Sequence, residues 1–252
     1  MLKKSREHKI LDLITRNGAI EVKELMDHCN ISENTARRDL KGMEDKGLLS
    51  RTHGGAVPVQ PQLNLVDFDK KLAQDSDKKE RLGKLAASFV KDNDVIYIDC
   101  GTTLYYMYQY LGERKNLIVI TNSLPIVFQL SNNREIRTVM IGGEIDAERK
   151  ASYGPIAEKN VSEYHVSKAF IGSDGISINN GLSTYDTKES AITVRMAENA
   201  DEVFLVITSE KIEKEAFSKF APIEIINHLL TDNDISPKIK KKYTDKIDLI
   251  ST

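Results

Sequence analysis

Two sets of residues in this 252-residue chain have types and spacing suited to chemistry. The first is Ser32, Asn34, Thr35, Arg37, Arg38 and Lys41, followed by Arg51 and His53-Gly54-Gly55. Arginine grips guanine through two parallel hydrogen bonds, asparagine pairs with adenine, and threonine meets a thymine methyl. Arg51 and His53 stand beside a glycine pair, where they can reach a phosphate. That chemistry is duplex DNA recognition. The second set is Asp99-Cys100-Gly101-Thr102-Thr103, with Thr121-Asn122-Ser123, Gly172-Ser173-Asp174-Gly175 and Thr208-Ser209-Glu210-Lys211. After Asp99, glycine lets the main chain come close, two hydroxyls donate, and a helix start offers free amides and partial positive charge. This is an anion cradle best suited to phosphate. It is not a nucleotide P-loop, because no lysine follows the glycine.

The first set needs a rigid small module. Ile10, Leu11, Leu13 and Ile14 recur at helical spacing and predict a helix from Arg6 to Arg16, closed by Asn17-Gly18. Leu25, Met26 and Cys29 predict a short second helix ending near Asn30. Ser32 is an N-cap candidate for a third helix; Ile31 and Ala36 stand where a hydrophobic staple forms, and Glu33 suits the helix dipole. In that helix Ala36, Leu40 and Met43 form the buried stripe. Asn34, Thr35, Arg37, Arg38 and Lys41 are left outside. A hairpin follows with its tip at Gly54-Gly55, where glycine tolerates positive φ. The set predicts a helix in the major groove and a wing on the flanking backbone.

The second set needs a sheet. Val95–Ile98, Leu117–Ile120, Thr138–Ile141, Ala169–Ile171 and Val203–Ile207 read as buried strands, and Leu104–Leu111, Leu124–Leu130 and Glu189–Ala200 as helices. The alternation predicts an α/β domain, Rossmann-like, with a mainly parallel sheet and helices on both faces. Ligands of such sheets bind beyond the carboxyl ends of the strands, where all four polar segments fall. Between the two modules, Val57-Pro58-Val59-Gln60-Pro61-Gln62 reads as an extended linker. A helical pattern returns from Val66 to Lys91, broken at Asp75-Ser76-Asp77, with Leu82, Leu85, Ala86 and Phe89 on one face. That face either pairs two protomers or packs on the second domain. The expected organisation is 1–57 winged helix-turn-helix, 58–75 linker and 76–252 ligand-sensing domain.

The first module resembles the winged helix-turn-helix of the DeoR family of bacterial regulators, through Ser32-Glu33, Thr35-Ala36-Arg37-Arg38-Asp39-Leu40 and His53-Gly54-Gly55-Ala56. The second resembles that family's C-terminal sensor domain, itself similar in fold to ribose-5-phosphate isomerase. The matching positions are Asp99-x-Gly101-Thr102-Thr103, Thr121-Asn122-Ser123, Gly142-Gly143, Gly154, Gly172-x-Asp174-Gly175, Gly181-Leu182-x-Thr184, Glu189-x-Ala191 and Lys211. The resemblance implies a phosphorylated sugar or related metabolite as effector, with Lys211 as its phosphate or hydroxyl partner. It implies that Asp174 and Glu189 face hydroxyls, and it adds Thr184 to the effector set. Gly142, Gly143 and Gly154 read as backbone positions. Cys100 departs from the family's usual small polar residue, and Glu210 adds a negative charge beside Lys211. Asp39 is expected to orient a neighbouring arginine and not to touch DNA.

Composition bounds the reading. Hydrophobic residues make up 40% and charged residues 29%, as in an ordinary globular protein. No stretch approaches eighteen apolar residues, so no membrane partner is expected. Cys29 and Cys100 form no disulfide framework or metal site by themselves, and a cytoplasmic location follows. Residues 1–56 hold 11 Lys+Arg against 9 Asp+Glu, so the DNA reading rests on where the cations sit. No catalytic residue, metal or cofactor is expected. The rival reading is a sugar-phosphate isomerase or hydrolase, with Glu189 as general base, Asp174 and Lys211 assisting, and Cys100 as a nucleophile. The five histidines give Cys100 no local partner, and a fused DNA reader makes turnover of the signal unnecessary. The expected partners are operator DNA, a phosphorylated sugar and further copies of the chain, as a dimer or tetramer.

Overall fold

The computed structural model describes residues 6–7, 9–10, 13–14, 20–44, 49–52, 54–58 and 67–252. His53, the Asn17-Gly18 stop, Gly47-Leu48 and linker residues 59–66 lie outside them. The chain divides into two compact units, Met1–Asn64 and Leu65–Thr252.

In the first unit, residues 6, 7, 9, 10, 13 and 14 are helical. Strand β1 (Ile20–Glu21) leads into helix α1 (Val22–Cys29), whose start carries a capping box between Glu21 and Glu24. Asn30 ends it in the left-handed region at φ 50°, which a short polar side chain tolerates. Helix α2 (Glu33–Glu44) follows after two residues, then β2 (Leu49–Arg51) and β3 (Gly55–Pro58), in the sheet order β1-β3-β2. Ile10, Ile14, Leu25, Ala36, Leu40, Met43 and Leu49 close one core. Gly55 does not take the expected positive φ. Gly55 is needed for close approach instead: a Cβ there would lie 2.0 Å from the Ile20 carbonyl oxygen across the strand pair.

In the second unit, seven strands form one parallel sheet: β4 (Val95–Ile98), β5 (Leu117–Thr121), β6 (Ile136–Met140), β9 (Val166–Ile171), β12 (Ala200–Val206), β14 (His228–Thr231) and β15 (Asp248–Ser251). Their order is β15-β14-β12-β9-β4-β5-β6. From β4 the chain runs outward through β5 and β6, then returns to the other side of β4 with β9. The β4/β9 boundary is therefore the point where strand order reverses. Two hairpin elements sit outside this sheet: β7 (Glu144–Asp146) with β8 (Ala151–Tyr153), and β10 (Gly175–Ser177), β11 (Gly181–Thr184) and β13 (Ser218–Ala221).

Alternation along each strand feeds two cores. Ile96, Ile98, Phe170 and Phe204 face one way, against α4 (Ser76–Ser88) and the helical stretch that starts at α5 (Thr102–Tyr105) and tightens to 3-10 geometry over Tyr106–Tyr110. Tyr97, Ala169, Ile171 and Leu205 face the other, with residues of α7 (Pro155–Val161) and α8 (Thr187–Glu198) in the same cluster. The face of Leu82 and Ala86 thus packs on this domain's own sheet. Gly83 lets α4 approach that helical stretch, since a Cβ would lie 2.7 Å from Tyr106 Cβ.

The expected linker of 58–75 ends earlier than its sequence suggested. Helix α3 (Phe68–Ala73) belongs to the second unit, where the Phe68 amide donates to the Glu148 carbonyl at 2.8 Å. Asp67 caps this helix by accepting from the amides of Asp69 and Lys70. The two hairpin elements and α7 have no counterpart among the expected strands and helices, and neither do β14, β15 and α9 (Pro237–Thr244) at the C-terminal end of the described chain. These last three segments are short and end in polar residues, whereas β4 (Val95–Ile98) and α6 (Leu124–Leu130) match their expected bounds at both ends. Among the described residues, no helix is long and apolar enough to cross a membrane.

Candidate functional site

On α2, Asn34, Arg37, Arg38 and Lys41 are exposed while Ala36, Leu40 and Met43 are buried, so the expected outer face is formed. The Ser32 and Thr35 hydroxyls share a hydrogen bond of 3.0 Å, and the Ser32 carbonyl accepts from the amides of Thr35 and Ala36. Arg37 pairs with Glu33 one turn back at 2.7 Å. Asp39 is buried and accepts from Arg6 Nε at 2.7 Å. It thus orients an arginine, as expected, but one on the first helix, and it ties that helix to α2. Arg51 is exposed on β2, and its amide donates to Glu44 at 3.0 Å, which fixes the wing strand to the end of α2.

The second site is a cavity at the β4/β9 reversal, beyond the carboxyl ends of the strands, where open α/β sheets bind ligands. Gly101, Thr102 and Thr103 line it from the β4 end, Gly172 and Asp174 from the β9 end, and Lys211 from the loop after β12. Thr184 and Glu189 complete the expected lining. Asp186 caps α8 by accepting from the amides of Lys188 and Glu189, which places Glu189 in the first turn. Asp99 does not line the cavity. It is buried, and its carboxylate accepts from the amides of Cys100 (2.7 Å) and Gly172 (3.3 Å) and from Thr193 (3.1 Å), holding the two strand ends together.

Thr121, Asn122 and Ser123 do not join this cavity. They lie at and just past the carboxyl end of β5, one strand out on the far side of β4, and all three are fully buried. Thr121 accepts from the Ser123 amide, Ser123 caps α6 by accepting from Ile126, and Asn122 donates to the Ser152 carbonyl. Their polarity serves the start of α6.

Two cations that the sequence reading did not single out line the cavity. Arg149, in the β7–β8 connection, donates to Glu189. Lys71, on α3, pairs with Asp174 at 2.8 Å. Lys211 donates to the Ser173 carbonyl at 2.9 Å. Glu210 is exposed and accepts from Thr208 at 3.0 Å, so its charge does not close off Lys211.

Residues 6–62 match the DeoR-like helix-turn-helix domain and residues 74–233 the DeoR C terminal sensor domain. The chain belongs to the DeoR family. It is 36% identical over 248 residues to the lactose phosphotransferase system repressor of Lactococcus lactis subsp. lactis, covering 97% of this chain and 96% of that one. It is 33% identical over 246 residues to the uncharacterized HTH-type transcriptional regulator YulB of Bacillus subtilis (strain 168), covering 98% and 95%. It is 30% identical over 246 residues to the L-fucose operon activator of Haemophilus influenzae, covering 98% of each. Among solved structures, ribose 5-phosphate isomerase A of Methanocaldococcus jannaschii aligns over 54% of each chain at 22% identity, with a TM-score of 0.40.

In this DeoR-family regulator the cavity's electrostatics follow from burial and pairing. Burial, and then the nearby Glu189, push the Asp99 carboxyl up to about 6. Burial and the neighbouring Lys71 bring Lys211 down to about 8. Burial would raise Asp174, but Lys71 and Lys211 overcome it and hold that carboxyl below its usual range. Burial pushes the Cys100 thiol well up, reinforced by Glu189 and Asp99. Cys100 shares a hydrogen bond with Tyr153 at 3.2 Å, and its thiol donates to Glu189 at 3.8 Å. A thiol kept protonated in this way is a packing group and a poor nucleophile.

Proposed function

We propose that this regulator represses genes of sugar metabolism and that a phosphorylated sugar bound in the β4/β9 cavity alters its grip on the operator. The observation that carries the reading is the cavity's mixed lining. Lys211 and the Thr102 and Thr103 hydroxyls at a helix start suit a phosphate. Asp174 and Glu189, both held by cations, suit the hydroxyls of a sugar. Gly101, Gly172 and Thr184 shape the same wall, and Asp99 supports it from beneath. The lactose and fucose systems in the names of two relatives agree with this class of effector. Binding without turnover is the favoured outcome, because Glu189 is engaged by Arg149 and Cys100 is a buried thiol.

At the other unit, Asn34, Arg38 and Lys41 present free-standing polar and cationic groups on α2 for base edges and phosphates, with Ser32, Thr35 and Arg37 beside them and the wing at Arg51 and His53 on flanking backbone. One three-helix module makes too small an interface for tight operator binding, so the protein acts in the cytoplasm as at least a dimer on repeated half-sites. A thermal-shift screen of phosphorylated sugars tests the effector. At least one is expected to raise the melting temperature by mass action, and a panel in which none does overturns the reading.

A further inference from the structure

Helix α3 is the first described element after the boundary at Asn64/Leu65, and it is built onto the effector cavity. Phe68 and Lys71 line the cavity, and Phe68 packs edge-on against Tyr105 at 5.9 Å, in the helix that begins with the Thr102–Thr103 cradle. At one end the Phe68 amide donates to Glu148 and the Asp69 carboxylate accepts from Lys150 at 2.6 Å, both in the connection that carries Arg149. At the other end Lys79 of α4 donates to the carbonyls of Lys71 and Gln74. The ammonium of Lys71 reaches Asp174 at 2.8 Å, with Lys211 close enough for the two cations to repel.

We infer that Lys71 is an effector-binding residue: on binding, its ammonium exchanges Asp174 for the ligand's phosphate, so the ligand grips the helix that leads directly back to the DNA-binding unit. The inference rests on the reading of this cavity as a phosphorylated-sugar site and assigns it a ligand contact and an exit route. Three observations carry it. Lys71 is only partly exposed, at 24% of its side chain, and points its charge at a cavity-lining carboxylate. Lys211 lines the same cavity and donates to the carbonyl of Ser173, next to Asp174, so an incoming dianion can take both cations as partners. Asp174 released from Lys71 keeps the Thr184 hydroxyl and the Tyr185 amide as donors, both at 3.2 Å, and gains a free oxygen for a sugar hydroxyl.

The test uses the full chain, with inorganic phosphate and a panel of pentose and hexose phosphates as probes, read by calorimetry and by amide hydrogen exchange. Lys71→Gln is expected to weaken phosphate binding about tenfold or more, the loss of one charge-assisted contact, while Lys71→Arg keeps most of it. Phosphate is expected to change exchange over residues 68–73 in the wild type and not in Lys71→Gln. An unchanged melting temperature without ligand establishes that the variant is folded; should it drop, the exchange response of the wild type and the binding of Lys71→Arg still decide. If the probes bind wild type and Lys71→Gln alike and exchange at 68–73 does not respond, this inference is overturned and the cavity's function stands. If no probe binds the wild type, the reading of the cavity falls and this inference with it.

Discussion

The Arg149 guanidinium donates to the Glu189 carboxylate inside the cavity, and both side chains are largely withdrawn from solvent. The residue best placed to act as a base in an isomerase is therefore spent on an ion pair, and a helix start is joined to the β7–β8 connection. Removing one member of a buried pair strands the other charge. Glu189→Gln or Arg149→Met should each destabilise the sensor domain by about 3–5 kcal/mol in denaturant unfolding, and the double change to apolar residues should cost less than either alone. Additive losses would show that the pair is not coupled.

Anion binding should depend on pH through Lys211. Its folded pKa, about 8, lies below the ordinary lysine value because burial and Lys71 disfavour its charge. Below pH 8 the ammonium is charged and contributes to binding; as pH rises through 8 that contribution is lost. Sulfate is the clean probe, since its own charge is constant here. Its affinity should fall between pH 8 and 9.5 by at most about tenfold per pH unit, and Lys211→Arg should flatten the profile. A flat wild-type profile removes Lys211 from the anion site.

Arg38 is exposed on the outer face of α2. On a duplex selected from random sequence, Arg38→Ala should cost about 1–3 kcal/mol per half-site and relax the preference at one base pair. Equal weakening on unrelated DNA would move Arg38 to a phosphate.

The wing gives a different signature. Arg51 is exposed, and its strand is fixed to α2 through Glu44. Arg51→Ala should lower the slope of log affinity against log salt by about one per module while leaving sequence preference intact. An unchanged slope would place the wing off the DNA.

Much of this was legible in the chain. Strands that alternate between two buried faces, such as Val95–Ile98, announce themselves, and so do glycine and hydroxyl residues that follow them. What the sequence could not show is which strand ends meet. Thr121-Asn122-Ser123 looks like a ligand edge because a polar run after a strand serves a ligand and a helix cap equally; only the sheet order puts it outside the reversal point. Lys71 and Arg149 were illegible for the opposite reason. One precedes the sheet and the other sits in a hairpin connection, so no strand-end pattern marks them, and only the fold brings them to Asp174 and Glu189. Asp39 was expected to orient a neighbouring arginine; it does hold an arginine, but that partner lies 33 residues away and no spacing points to Arg6.

The central claim is that a ligand held by Lys211 and Thr102 is reported to DNA. It is tested most directly by operator affinity of the full chain with and without a sugar phosphate that raises its melting temperature. The wild type should change affinity about 5- to 150-fold on adding the ligand. The Thr102→Val, Lys211→Gln double variant should bind operator as the ligand-free wild type does and show no change. A wild type whose affinity ignores a bound ligand, or a double variant that still responds, would contradict the account.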